Sequence, residues 1–317
     1  MQSLWNDDEA RQYNSALGLR VYTSQLLGRD TTLVLHGGGN TSVKIRERNV
    51  YGDEEELLYV KGSGWDLETI QEAGFAPVRM APLLKLAQLP ALSDPQMVNE
   101  LRVQCTRASA PAPSVETILH AVLPYTFVDH THADAILAIT NTAHGEQWLQ
   151  EIYGDDVVVL PYVMPGFDLA RQVAQEFPRR ASAKTQGMIL LKHGIFSFGA
   201  TARESYERMI ALVSRAEAFL QQRNAWHVAQ QESAAPPAID RIALAQLRAD
   251  VSTAAGAPFV LRSYRDAHSR AFATRSDVGT ISQQGPATPD HVIRTKRLAL
   301  LGRNVANYAQ VYRAYFE

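Results

Sequence analysis

Residues 127–132 read Phe-Val-Asp-His-Thr-His, and the last four, Asp129-His130-Thr131-His132, set the terms for the rest of the chain. The apolar lead predicts a strand over 127–132. On a strand, residues two apart share a face, so both imidazoles can reach one metal ion while Asp129 and Thr131 face the other way. Taken alone, the pair is equally well read as two histidines in ordinary hydrogen bonds. A third imidazole changes the weighing. Met188–Leu191 predicts a second buried strand that runs into Lys192, His193 and Gly194. Three histidines from two strands leave an open coordination position, which metal catalysis requires and a closed structural site lacks.

Outward from the histidines, Glu116 sits in Pro113-Ser114-Val115-Glu116, after the Ala108–Pro113 loop and in the first turn of a helix predicted over Val115–Leu123. The positive end of that helix favours a carboxylate, so helix capping is the alternative to a catalytic role. His120 lies four residues on, on the same face, and could orient the carboxylate. Two glycine-rich turns follow predicted strands: Gly37-Gly38-Gly39-Asn40-Thr41-Ser42 and Lys61-Gly62-Ser63-Gly64-Trp65. Backbone N–H groups in such turns can cradle a phosphate, although each is also an ordinary tight turn. Neither is a P-loop, the first fails the dinucleotide fingerprint at its last position, and Ser63 is not in a nucleophile elbow.

The chain has 317 residues, 46% hydrophobic and 20% charged, with 31 Lys+Arg against 33 Asp+Glu and a net charge of −2. This composition excludes disorder and collagen-like repeats and shows no clustered cations for a nucleic-acid phosphate backbone, so a small-molecule partner is expected. Cys105 is the only cysteine, which excludes an intrachain disulfide and a thiolate zinc cluster. The amino terminus carries acids where a signal peptide has a basic and then an apolar run. No stretch approaches the roughly 18 apolar residues of a membrane span, so a cytoplasmic protein is expected. Helices are predicted over 3–29, capped by Ser3, over 133–142, 169–177 and 201–223, with helical or irregular segments at 77–89 and 95–103. Strands are predicted at Thr31–His36, Leu57–Lys61 and Val157–Val163. Gln230–Pro237 reads as a linker. Beyond it, 239–317 is expected to hold two helices and a short strand pair. There Thr288 caps a helix start at Pro289-Asp290, and His291, Arg294 and Lys296 form either a solvated basic face or a cationic cover for the metal site.

The order of these pieces, Asn40 in its glycine-rich turn, the Lys61–Gly64 turn, Ser114 and Glu116, His130-Thr131-His132, then His193, resembles the class II aldolase/adducin family over residues 15–225. The resemblance implies a three-layer α/β/α sandwich around a mostly antiparallel sheet, over 1–229, with a 230–238 linker and a 239–317 extension. It also implies a homotetramer. Zinc on His130, His132 and His193, Glu116 as acid/base, and a substrate phosphate held by Gly38, Gly39, Asn40, Ser42, Lys61, Gly62, Ser63, Gly64 and Ser114 are further implications. The implied reaction is retro-aldol cleavage of a ketose 1-phosphate through a metal-bound enediolate. An epimerase, dehydratase or decarboxylase of the same fold and a non-catalytic adducin-like module are the alternatives. More closely, residues 30–317 resemble the aldolase part of bifunctional rhamnulose phosphate aldolase/alcohol dehydrogenases. No Rossmann fingerprint occurs in these residues, so no dehydrogenase activity is expected of them: the chain is either a truncated form or a stand-alone aldolase part, for which a separate dehydrogenase is a candidate partner.

Overall fold

A computed structural model describes residues 1–227 and 238–317; the expected 230–238 linker falls, but for residue 238, outside the described residues. The chain forms two compact units, Met1–Arg223 together with Ala287–Ile293, and Asn224–Pro286 together with Arg294–Glu317.

The first unit is built on seven strands: β1 (Asn40–Arg48), β2 (Glu54–Lys61), β3 (Phe75–Arg79), β4 (Phe127–Thr131), β5 (Val157–Leu160), β6 (Gly187–Leu190) and β7 (Gly194–Gly199). Their order is β3-β2-β1-β4-β7-β6-β5, and every neighbouring pair is antiparallel except β5–β6. Alternate residues of each strand supply opposite faces. Leu58, Val78, Val128, Met188 and Phe198 pack on one face against the helices Met80–Leu86, Asp94–Val103, Thr117–Val122 and Phe167–Arg180. Val43, Leu57, Tyr59 and Phe127 pack on the other against Leu17 and Val21 of the Ala16–Gly28 helix and Ala202, which opens the Ala202–Gln222 helix. The result is the expected α/β/α sandwich around a largely antiparallel sheet.

Several expectations are corrected. Thr31–His36 is not a strand: the Asp30 carboxylate accepts from the Thr32 backbone N–H at 2.9 Å, and Leu33 and Val34 turn back to donate to the Asp30 carbonyl. The helix expected over 3–29 is two, Asp7–Ala10 capped by Asn6 and Ala16–Gly28 capped by Ser15. Strand β7, bracketed by glycines and masked in sequence by the preceding turn, lies between β4 and β6 near the middle of the sheet. Among the described residues, 239–317 contains no strand, and its elements are the helices Arg241–Ala255, Ala267–Ala273, Val278–Ile281, Pro289–Arg294 and Val305–Phe316.

Strand β4 carries the two faces predicted for it. Asp129 points into the helix layer, where it pairs with the Arg20 guanidinium, both side chains fully buried, and accepts from Ser205 Oγ at 2.5 Å. Thr131 turns the same way, its hydroxyl 3.3 Å from Met209 Sδ. Burial pushes the Asp129 carboxyl up and the Arg20 guanidinium down, and their mutual attraction opposes both shifts. Removing one partner strands an uncompensated charge, so Arg20→Met should cost about 3–5 kcal/mol in urea denaturation, and the Arg20→Met/Asp129→Leu double variant should recover most of it. A single-variant loss below about 1 kcal/mol would show that the pair is not the anchor of β4.

Candidate active site

The sheet register assembles the site. Asn40 of β1 lies opposite His130 of β4, which lies opposite Phe196 of β7, so these three side chains stand in one row on one face. The His130 ring stacks on Phe196, centroids 4.0 Å apart, and its Nδ1 donates to the Ile195 carbonyl at 3.1 Å. His132 follows the last residue of β4. Its Nδ1 faces Asp290 Oδ1 at 2.5 Å. His193 sits in the β6–β7 turn, where its N–H donates to the Leu190 carbonyl and the preceding Lys192 takes a left-handed φ of 60°. Gly194 then lets β7 start against β4. A side chain there would place its Cβ 2.4 Å from the Thr131 carbonyl oxygen and 2.9 Å from His130 Cε1.

The ligand atoms offered by the three buried histidines all lie within 4.8 Å of one another. Both His130 and His132 place Nδ1 against an acceptor, which leaves Nε2 of each as the nitrogen available to a metal. These two Nε2 atoms face each other at 3.0 Å in the interior. Two opposed lone pairs call for a cation, and imidazoles about 3.3 Å apart are what a tetrahedral divalent ion at its usual bond lengths requires. Burial, followed by the other imidazoles, holds His130 well below the ordinary histidine range, and burial lowers His193 against the pull of Glu116. Both rings are therefore in the form that binds metal. A tri-histidine site able to hold a divalent metal is present.

Glu116 completes the cluster and does not cap its helix. It occupies the N-cap position of Thr117–Val122, yet its carboxylate makes no bond to that helix. Oε2 accepts from Asn40 Nδ2 at 2.6 Å and lies 3.5 Å from His130 Nε2, while Oε1 lies 3.4 Å from His193 Nε2. Oε1 is buried and has no hydrogen-bond partner among the described residues. The expected pairing of His120 with Glu116 turns out to run through Asn40. Because Asn40 must present its amide N–H to Glu116, its Oδ1 is left to accept from His120 Nε2–H, and His120 Nδ1 accepts from the Ser42 hydroxyl at 2.8 Å. Burial pushes His120 down to about 3, against the pull of Glu116, so the ring is neutral.

The glycine-rich turns are placed differently from one another. Ser42 is fully buried and committed to His120, and so stands apart from any substrate surface. The backbone N–H groups of Gly38, Gly62 and Ser63 already donate to the carbonyls of Leu35, Gly74 and Ala112, so they do not form an open cradle. Gly39 lies against the His130 backbone, and Ser63 and Gly64 are exposed. Lys61 is nearly buried and ties the two turns together by donating from Nζ to the Gly37 carbonyl at 2.9 Å. The Ser114 hydroxyl accepts from Asn40 Nδ2 and from the Glu116 N–H, each at 3.2 Å. In the tail, Thr288 caps its helix as expected, accepting from the His291 N–H. His291 Nδ1 sits 2.7 Å from the same hydroxyl. Arg294 and Lys296 belong to the second unit, where Lys296 Nζ lies 4.1 Å from the centre of the Tyr312 ring. What this helix sets against the histidines is an anion, Asp290, which its local sequence does not announce as functional.

Residues 20–220 match the class II aldolase and adducin N-terminal domain. The chain belongs to that family. Residues 238–317 match a further domain described as aldolase class II, second domain. A protein of Bacillus subtilis (strain 168) named uncharacterized oxidoreductase YuxG is 33% identical over 308 residues, which cover 95% of this chain and 44% of that protein. The chain thus spans less than half the length of this relative. A solved structure of the N-terminal class II aldolase domain of a conserved protein from Thermoplasma acidophilum is 46% identical, with a TM-score of 0.64, covering 69% of this chain and 99% of that one. A buried tri-histidine metal site in a class II aldolase fold supports metal-dependent lyase activity. Among the described residues, no helix is long and apolar enough to cross a membrane.

The neutral His120 has a consequence for this family member's stability. Its folded pKa, about 3, lies below the unfolded value near 6.5, so the unfolded chain takes up the proton first. The stabilisation is complete above about pH 6.5 and is lost as the pH falls toward 3. In metal-free protein this amounts to about 2 kcal/mol between pH 7 and pH 5. Urea denaturation in chelator should show His120→Gln losing that part of the pH dependence; an unchanged profile would assign the proton to another group.

Proposed function

We propose that the chain is a zinc-dependent class II aldolase that cleaves a ketose 1-phosphate, such as rhamnulose 1-phosphate, by a retro-aldol reaction. The observation that carries this reading is the convergence of three imidazoles and one carboxylate on a single buried point. Imidazole ligands suit zinc, whereas magnesium prefers oxygen. His130, His132 and His193 would hold the ion, which when bound supplies Lewis acidity to the substrate oxygens.

The chain's own residues account for the proton movements. Breaking the C3–C4 bond requires loss of the C4 hydroxyl proton and leaves an electron pair at C3, delocalised onto the neighbouring carbonyl as an enediolate. Glu116 takes the hydroxyl proton and returns it to carbon. Oε1, which has no donor among the described residues, is the oxygen that moves the proton, and Oε2 is the one that Asn40 holds in place. His120 keeps the Asn40 amide in the orientation this requires. Lys61, between the two turns, is the cation for the substrate phosphate, with the exposed Ser63 and Gly64 and the Ser114 hydroxyl beside it. Binding the phosphate there orients the substrate at a distance from the bond being broken. The oxidoreductase name and greater length of the Bacillus relative support reading this chain as the aldolase part of such a two-activity arrangement, with a dehydrogenase as its partner.

Purified protein should carry about one zinc per chain, and His132→Ala should lose it while remaining folded. A screen of ketose 1-phosphates for aldehyde release should find a substrate, on which Glu116→Gln keeps its metal and turns over about a hundredfold more slowly or worse. Activity of that variant within a few-fold of the wild type would remove Glu116 from the chemistry, and full metal occupancy in His132→Ala would remove the site.

A further inference from the structure

The segment Ala287–Ile293 is separated from β4 by more than 150 residues, yet it packs as part of the first unit. Asn141 Nδ2 holds its start by donating to the Ala287 carbonyl at 2.9 Å. Two residues into the short helix, Asp290 is 2% exposed and spends both carboxylate oxygens on the glycine-rich turn and the histidines. Oδ2 accepts from the Leu35 N–H at 2.7 Å, and Oδ1 faces His132 Nδ1 at 2.5 Å. The turn is shaped to receive it: a Cβ on Gly38 would lie 1.7 Å from Asp290 Oδ1, so any side chain there would expel the carboxylate.

We propose that Asp290 is a positioning residue of the metal centre, the outer carboxylate of a carboxylate–histidine–metal relay. This rests on the reading of the tri-histidine cluster as a metal site. By accepting from Nδ1–H, Asp290 fixes the His132 tautomer, aims Nε2 at the point shared with His130 and His193, and makes that nitrogen a better donor. The need for such support is specific to His132. His130 is fixed by its stack on Phe196 and a backbone carbonyl within the sheet. His132 lies beyond the end of β4, without a ladder of its own. His193 Nδ1 has no hydrogen-bond partner among the described residues, so His132 bears the cluster's carboxylate-anchored ring. The centre is therefore built from three stretches of the first unit and completed by a fourth that arrives only after the second unit has been entered and left. Gly38, expected at a phosphate site, acquires a second reason to be glycine.

The test uses full-length protein. Zinc affinity is measured by competition with a chromogenic chelator, and the absorption spectrum of the cobalt(II)-substituted protein reports ligand geometry. Asp290→Ala and Asp290→Asn should each weaken zinc binding by about 10–100-fold and shift the cobalt bands. Asparagine can accept from His132 or from Leu35 through its single carbonyl oxygen, so it should fall between the wild type and alanine. Gly38→Ala, which leaves the carboxylate in the chain but displaces it, should weaken zinc binding in the same direction and supplies the answer if the Asp290 variants do not fold. A purely structural Asp290 would lower the melting temperature of the metal-free protein while leaving zinc affinity and the cobalt spectrum within about twofold of the wild type, and that result overturns the proposal. Wild-type protein that takes up no zinc or cobalt would overturn the metal reading itself, and this proposal with it.

Discussion

Everything in the site depends on the register of β4. Its side chains alternate, so a slip of one residue against β1 or β7 would carry His130 into the helix layer and bring Asp129 into the cluster. The buried Arg20–Asp129 pair opposes that slip alongside hydrophobic alternation, because the displaced state would bury a guanidinium with no carboxylate beside it. Ser205 and Met209, on the Ala202–Gln222 helix, grip Asp129 and Thr131 from the same side. One face of the strand is thus locked by charge and hydrogen bonding so that the opposite face can present imidazoles at a fixed height.

From that register a polar chain follows across the sheet. Asn40 stands beside His130 because β1 pairs with β4 there, and its amide has only one orientation that serves both neighbours. A neutral His120 donates to its oxygen, and its nitrogen donates to Glu116. Each link is buried, where an unmade hydrogen bond is costly, and the chain therefore specifies one arrangement of the carboxylate. It ends at Glu116 Oε1, which has no donor among the described residues. Buried unsatisfied atoms are uncommon in a folded protein, and one that faces a cluster of lone-pair nitrogens marks where chemistry is done.

The carboxylate next to His132 illustrates how an appended stretch of chain can belong to a site without contributing a ligand. The two-unit division leaves Ala287–Ile293 with the first unit, and its reach is set by one hydrogen bond from Asn141 and by the space above Gly38. Second partners of metal-bound imidazoles tune affinity through ring orientation and basicity, effects that act through one atom and tolerate an acceptor from anywhere in the chain.

Local chemistry made a large part of this legible in the sequence. Period-two alternation at Asp129-His130-Thr131-His132 assigned two imidazoles to one face and their neighbours to the other, because strand geometry depends on nothing beyond the strand. The three histidines, Glu116, the long Ala202–Gln222 helix and the sandwich class were likewise visible, the last through family resemblance. What only the tertiary structure decided were the pairings between distant residues. Strand β7 was hidden because Gly194 and Gly199 resemble turn residues until β4 is known to press against them. Ser42 and His120 looked like a phosphate ligand and a direct partner of Glu116, and only the tertiary structure shows that Ser42 is spent on His120 and that Asn40 stands between His120 and Glu116. Asp290 looked like the second residue of a capped helix, and no local pattern distinguishes such an aspartate from one that reaches a histidine 158 positions away. A sequence records which groups a residue carries and the local geometry of its backbone; which buried donor meets which acceptor depends on how the chain closes on itself, and at this site that closure sets the state of every polar atom.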